Sequence, residues 1–278
     1  MEGFLTTVVI LLSGLAFLLG IFLLAWNFMV SFYIGFLNQY LLLLPLTRKQ
    51  KNILSQHCAF YRMLPARKKR KFERRLRQFI YLKEFIPRGG LPAVSMQMKV
   101  LISASAIQIT FGWPRIYLKH FDKILIYPDS YYSNITRKYH KGEVNRKGLI
   151  VLSWNNFVEG NRWPNDGVNL GLHEMAHALK IENGIYNGNY KFMSTRYWKD
   201  FYKIAETEIA QIKQAQTSFF KSHAGSNVHE FFAAVIEQFF ERPLALQSYN
   251  RKLYELTCRL LNQNPLLLAE QTTSYRPH

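Results

Sequence analysis

Gly171-Leu172-His173-Glu174-Met175-Ala176-His177-Ala178-Leu179 is the stretch on which the reading of this chain turns. It carries the pattern His-Glu-x-x-His. On a helix, His173 and His177 stand about one turn apart on one face, so their imidazoles project side by side. Two neutral imidazoles held that way supply half of a tetrahedral zinc site. Glu174 projects beside them and can reach a water held there. A zinc ion lowers the pKa of that water toward neutrality, and a carboxylate in reach can take its proton.

The flanks support a helix. Val168, Leu170, Leu172, Met175, Ala176 and Leu179 give an apolar framework, Asp166-Gly167 fits a turn into it, and Asn183-Gly184 fits its exit. His and Glu in so apolar a helix need polar partners, and a metal ion supplies one. Asn169 lies four residues before His173, where it can either orient a ligand or cap the helix.

A hydrolytic zinc site needs a third protein ligand and an open fourth position. Downstream, residues 228–241 read as an apolar helix carrying two carboxylates, Glu230 and Glu237, about two turns apart among Phe231, Phe232, Val235, Ile236, Phe239 and Phe240. Carboxylates in such a helix are costly unless paired or metal-bound. For Glu230 the competing role is a capping box with Asn227, and for Glu237 a structural ion pair. On the residues alone, both remain candidates for the third ligand.

The rest of the chain reads as mainly helical α+β. Helices are expected over 47–64 (capped by Thr47, broken at Pro65), 66–85, 94–111, 196–221 and 244–263, with β-rich runs at Ile124–Tyr127 and Leu149–Trp154 separated by a basic, polar loop. Three regions are expected: a membrane or interfacial anchor over 1–46, a basic helical segment over 47–90 packing on the catalytic domain, and that domain over 91–278.

Residues 3–47 contain no charged side chain, and Gly3–Trp26 is long and apolar enough to read as a transmembrane helix. Residues 27–46 either extend that span, lie in the interface or return as a second span. The net charge is +18, and residues 48–89 carry fourteen Lys/Arg against two Glu. Such a run after an apolar stretch attracts anionic headgroups and holds the rest of the chain on the cytoplasmic side of the inner membrane, with a single span preferred. Nucleic acid is not expected as a partner, because the chain has no zinc finger, RNP-like motif or clear helix-turn-helix. Cys58 and Cys258 are far apart, which excludes a thiolate zinc cluster and suits a reducing compartment.

Several motifs in order resemble the Mlc titration factor A (MtfA) zinc peptidases. They are Leu152-Ser153-Trp154, Gly160-Asn161, Asp166-Gly167, Asn169, Leu172-His173-Glu174, Ala176-His177, then Ser226-Asn227-Val228-His229-Glu230-Phe231-Phe232-Ala233 and Glu237-Gln238-Phe239-Phe240 with Pro243. The pattern around Glu230 also resembles the metal-binding helix of anthrax lethal factor. The resemblance covers roughly residues 47–265. It implies a zincin-like fold, one Zn2+ held by His173, His177 and Glu230, Glu174 as general base, and peptidase activity of aminopeptidase type on small peptides. Two positions depart from the family pattern: Lys180 stands where an Asp is usual, with Glu182 a substitute carboxylate, and His223 stands where an oxyanion-stabilising Tyr is usual, a role an imidazole can fill. A second class of function is a membrane-tethered zincin-fold protein that binds a regulatory protein without catalysis. A protease cutting within the bilayer does not fit, because the flanks of the His-Glu-x-x-His helix are too polar for lipid.

Overall fold

The fifth helix is apolar on every face, and a helix of that kind must be surrounded. In the computed structural model, which describes residues 14, 18–32, 44–114, 116–133, 137–163, 165–185, 192–214 and 218–268, the chain is mainly helical α+β and builds around that helix. Helix α1 covers 18–32. The next helices are α2 (Arg48–His57), α3 (Ala59–Met63), α4 (Ala66–Leu82) and α5 (Met96–Thr110), with strand β1 (Glu84–Pro87) between the last two. Strands β2 (Lys123–Tyr127), β3 (Tyr131–Ser133), β4 (Lys138–His140), β5 (Gly142–Asn145) and β6 (Leu149–Ser153) come next. The chain finishes with α6 (Trp154–Arg162), α7 (Leu170–Ile185), α8 (Thr195–Gln214), a 3-10 turn (Ser222–Gly225), α9 (Val228–Glu241), α10 (Pro243–Tyr249) and α11 (Arg251–Leu261).

Helix α5 starts where the Ser95 hydroxyl accepts from the Met98 N–H, and α2, α4 and α7 pack around it. The sheet has the order β1-β2-β6-β5. β1, β2 and β6 run parallel, β1 reaching β2 through α5 and β2 reaching β6 through β3–β5, and β5 lies antiparallel on the edge. Ile124 and Ile126 of β2 and Ile150 and Leu152 of β6 are buried toward the helices. The register sets Gly142 of β5 opposite Leu152. β6 runs directly into α6, whose first turn is capped by Ser153.

The helices read from the sequence are present, with shifted ends. Thr47 caps α2 in a full capping box with Gln50, but that helix breaks at Cys58 rather than running to Leu64. α4 stops at Leu82, and Lys83–Pro87 turns into β1, where the sequence pattern reads as the end of a helix. The expected helix over 244–263 is two, divided at Asn250, whose side chain caps α11. α7 runs through Asn183-Gly184 to Ile185. The loop between the β runs contains three short strands, and α6 has no counterpart among the expected elements.

Leu46–His278 forms one compact unit and Met1–Pro45 another. Among the described residues, no helix is long and apolar enough to cross a membrane. The transmembrane helix expected over Gly3–Trp26 is therefore not found there. The described part of α1 is 18–32. Its Leu18, Phe22, Leu24 and Phe28 are nevertheless exposed. Most of that expected span, and 33–43 of the stretch after it, lie outside the described residues.

Helix α4 turns Phe72, Leu76 and Phe79 inward and Arg67, Arg70 and Arg74 to solvent. Arg75 is the exception: its guanidinium is buried and donates to the carbonyls of Thr110, Trp113 and Ile116 and to the Thr110 hydroxyl at 2.7–2.9 Å. It ties α4 to the end of α5. Replacing Arg75 by Leu leaves those carbonyls buried without donors, and urea unfolding followed by tryptophan fluorescence is expected to register a loss of about 3 kcal/mol or more.

Candidate metal centre

Two helix starts set the site. At the head of α7, Asn169 caps the helix, its side-chain oxygen accepting from the Leu172 N–H at 3.0 Å. Met175, Ala176 and Leu179 are fully buried on the inner face. His173 and His177 are thereby held on the opposite face, with side chains only 14% and 16% exposed. Gly171 is required here: a Cβ would lie 2.5 Å from the Phe157 ring and 2.6 Å from the Ser105 hydroxyl. At the head of α9, Asn227 accepts from the N–H groups of His229 and Glu230 at 2.8 and 3.1 Å. The Glu230 side chain leaves that cap and reaches the imidazoles instead.

His173 Nε2 and His177 Nε2 are 3.1 Å apart. Glu230 Oε2 is 3.2 Å from the first and its Oε1 is 3.4 Å from the second. A tetrahedral ion bound at 2.0–2.1 Å has ligand–ligand edges of about 3.3–3.4 Å. The three donors therefore have the spacing, and the His/His/carboxylate chemistry, that a zinc ion requires; they could hold one. Glu237 lies behind them. Its Oε2 accepts from His173 Nδ1 at 3.4 Å, and its Oε1 accepts from the Asn169 N–H at 2.8 Å. Glu241 in turn accepts from the Asn169 side-chain amide and the Gly167 N–H. The two carboxylates left open by the sequence thus occupy different places: Glu230 faces both Nε2 atoms, and Glu237 fixes the ring of one histidine from its far side. Glu182, considered as a substitute carboxylate, is committed elsewhere, accepting from the N–H groups of Lys119 and His120. Lys180 points away from the cluster, toward His229.

Glu174 is buried under β5. A Cβ on Gly142 would lie 2.5 Å from Glu174 Oε1, so the edge strand can pass over this carboxyl only as glycine. Burial pushes Glu174 up to about 7, which suits a group that must both take and release a proton near neutrality. Burial lowers the His173 imidazole, but its hydrogen bonds to Glu230 and Glu237 outweigh that and raise it to about 10. Hydrogen bonds from His173 and His177 hold Glu230 far below the usual carboxylate range.

His223 lies on the 3-10 turn at the rim, its ring centroid 5.7 Å from that of His173. Burial lowers its pKa, keeping it neutral at pH 7. His173, Glu174, His177 and Glu230 line a cleft of about 550 Å³ walled by β5 on one side and the start of α9 on the other. The β5 wall, with Gly142 and the succeeding Arg146, is absent from the sequence reading. The available signal was Asn145-Arg146-Lys147-Gly148 before a β run, a hairpin turn with Gly148 at positive φ. Tyr202 stands against Lys180, its ring centroid 5.7 Å from the ammonium.

The arrangement brings the two imidazoles of a His-Glu-x-x-His motif and a carboxylate from a later helix together as a candidate metal centre. Residues 38–260 match the family model of the glucose-regulated metallo-peptidase M90, and the chain belongs to that family. It is 26% identical over 270 residues to an uncharacterized protein, slr2042, of Synechocystis sp., covering 91% of this chain and 97% of that one. It is 25% identical over 209 residues to Mlc titration factor A of Yersinia pestis and of Yersinia pseudotuberculosis, covering 68% of this chain and 75% of each relative.

A metal takes only neutral imidazole, so zinc must displace the proton held by His173. Apparent zinc affinity should therefore rise about tenfold per pH unit between roughly pH 7.5 and 9 in chelator-buffered titrations. If the centre holds zinc and hydrolyses peptides, Gly142→Ala should retain the metal but lose about a hundredfold in kcat, with KM little changed, because the added methyl displaces the Glu174 carboxyl.

Proposed function

We propose that this chain is a zinc peptidase of zincin-like fold in which His173, His177 and Glu230 hold the metal and Glu174 is the general base. The observation that carries the reading is the convergence of two Nε2 atoms and the Glu230 carboxylate at 3.1–3.4 Å beside a buried glutamate with a pKa near neutrality. Zinc, when bound, supplies a Lewis acid that acidifies water and polarises a carbonyl. Glu174 takes the proton of the attacking water and returns it to the leaving amine. Glu237 holds the His173 ring so that Nε2 faces the site. His223, neutral and at the rim, donates to the oxyanion. β5 is an edge strand, and its outward N–H and C=O groups are available to pair with an extended peptide. Aminopeptidase action on small peptides is the preferred form, with Glu143 of β5, which lines the same cleft, as the partner for a free amine.

The uncharged stretch 3–47 and the exposed apolar side chains of α1 support attachment to the inner membrane. The basic residues after it keep the peptidase on the cytoplasmic side and favour anionic headgroups. The Yersinia relatives are named as titration factors, which favours one other reading: a tethered protein that binds a regulator and does not cleave it.

Metal analysis and peptide hydrolysis separate these readings. The parent should carry about one zinc per chain, and Glu230→Ala should lose it. Glu174→Gln should keep zinc while hydrolysis of short peptides falls by about 10²–10⁴. Retention of hydrolysis in Glu174→Gln would exclude the mechanism, and zinc in Glu230→Ala would exclude the ligand set.

A further inference from the structure

The cleft carries cationic and hydrogen-bonding side chains that the proposed chemistry does not use. His229 lies one position before Glu230 and lines the cleft, as does Arg146, which comes directly after β5 across from it. Lys180 Nζ stands 2.6 Å from His229 Nδ1 and 3.3 Å from its Nε2. Lys180 is itself fixed, its ammonium 5.0 Å from the Trp198 ring centroid and 5.7 Å from that of Tyr202. An ammonium can only donate, so the imidazole meets Lys180 as an acceptor. The cleft therefore has an imidazole and an ammonium on the α9 side and a guanidinium on the β5 side.

No carboxylate among the described residues forms an ion pair with Lys180 or Arg146. Of the acids nearest the cleft, Glu230 faces the two histidines, Glu174 lies under Gly142, and Glu143, beside the Tyr131 hydroxyl, is the one assigned to a substrate amine. Cations beside a cleft without an ion-pair partner call for an anion from outside, and a guanidinium matches the two oxygens of a carboxylate.

We infer that His229 and Arg146, with Lys180 positioning His229, form a subsite for a carboxylate of the peptide substrate. This rests on the peptidase reading and names the substrate class that reading leaves open: short peptides bearing either an acidic side chain or a free C-terminal carboxylate next to the scissile bond. Lys180 does not touch the substrate; it holds the imidazole and adds a positive charge beside it.

The test uses the full-length, zinc-loaded chain in detergent and matched fluorescent tripeptides. One pair differs by Glu against Gln, and a second by a free against an amidated C-terminus. Binding is measured to the Glu174→Gln protein and steady-state kinetics to the parent. The carboxylate member of at least one pair should bind about tenfold or more tightly, as charge-assisted hydrogen bonds do, and the preference should appear in KM rather than kcat. Which pair responds separates the side-chain from the C-terminal source. Lys180→Met, which keeps the stem over Trp198, should reduce the preference to within about twofold while leaving kcat on the neutral peptides unchanged. Arg146→Glu should reverse it. Equal binding of both members of both pairs would overturn the subsite, as would an undiminished preference in the Lys180→Met, Arg146→Glu double variant. Because binding is read in a protein that cannot cleave, absence of hydrolysis in the parent would count against the peptidase reading alone.

Discussion

A carboxylate from one helix is pressed against two imidazoles from another, and much of the interior is arranged to make that tolerable. Glu230 and His173 are 57 positions apart and come from α9 and α7, helices that are otherwise apolar toward each other. A buried charge without a partner costs several kcal/mol, so each must be answered locally. Glu230 is answered by the two imidazoles. Glu237 is answered by His173 Nδ1 and the Asn169 N–H, and Glu241 by the Asn169 amide and the Gly167 N–H. One residue, Asn169, therefore caps the first helix and serves two carboxylates of the second. That network fixes the approach of the helices, and the approach in turn sets the donor spacing.

The remaining elements hold this pair in place. The all-apolar α5 gives α7 a flat partner, and the small residues on both sides, Gly171 and Ser105 among them, let the backbones come close. The parallel strands β2 and β6 lead the chain over the top of the helices, and β6 passes into α6, whose Phe157 packs beside Gly171. β5, the strand before β6, lies antiparallel to it as the edge. Its glycine lies on Glu174, which loses solvent and so has a raised pKa. The same strand that shields Glu174 also leaves its outer edge open.

The basic segment divides its charge by the same rule of partnered burial. Exposed Arg67, Arg70 and Arg74 are solvated, and the aliphatic and aromatic residues between them face α5. Arg75, on the inner side, is acceptable only because carbonyls at the end of α5 and the loop after it converge on it. The run of positive charge is thus partly surface and partly a structural clamp, a distinction that composition does not carry.

Local signals were enough to find most of the helices and the motif. His173, Glu174 and His177 were legible because helical periodicity is local: four residues make a turn in any helix, whatever surrounds it. The cap at Thr47, the buried α5, the two longest strands and the apolar α9 were legible for the same reason. The choice between Glu230 and Glu237 was not, since both lie on α9 and only its packing against α7 decides which carboxylate meets Nε2 and which meets Nδ1. Nor were the short strands, Gly142 over Glu174, or the meeting of Lys180, His229 and Arg146. Those are contacts between segments dozens of residues apart, set by strand register and helix crossing, which no window of sequence contains.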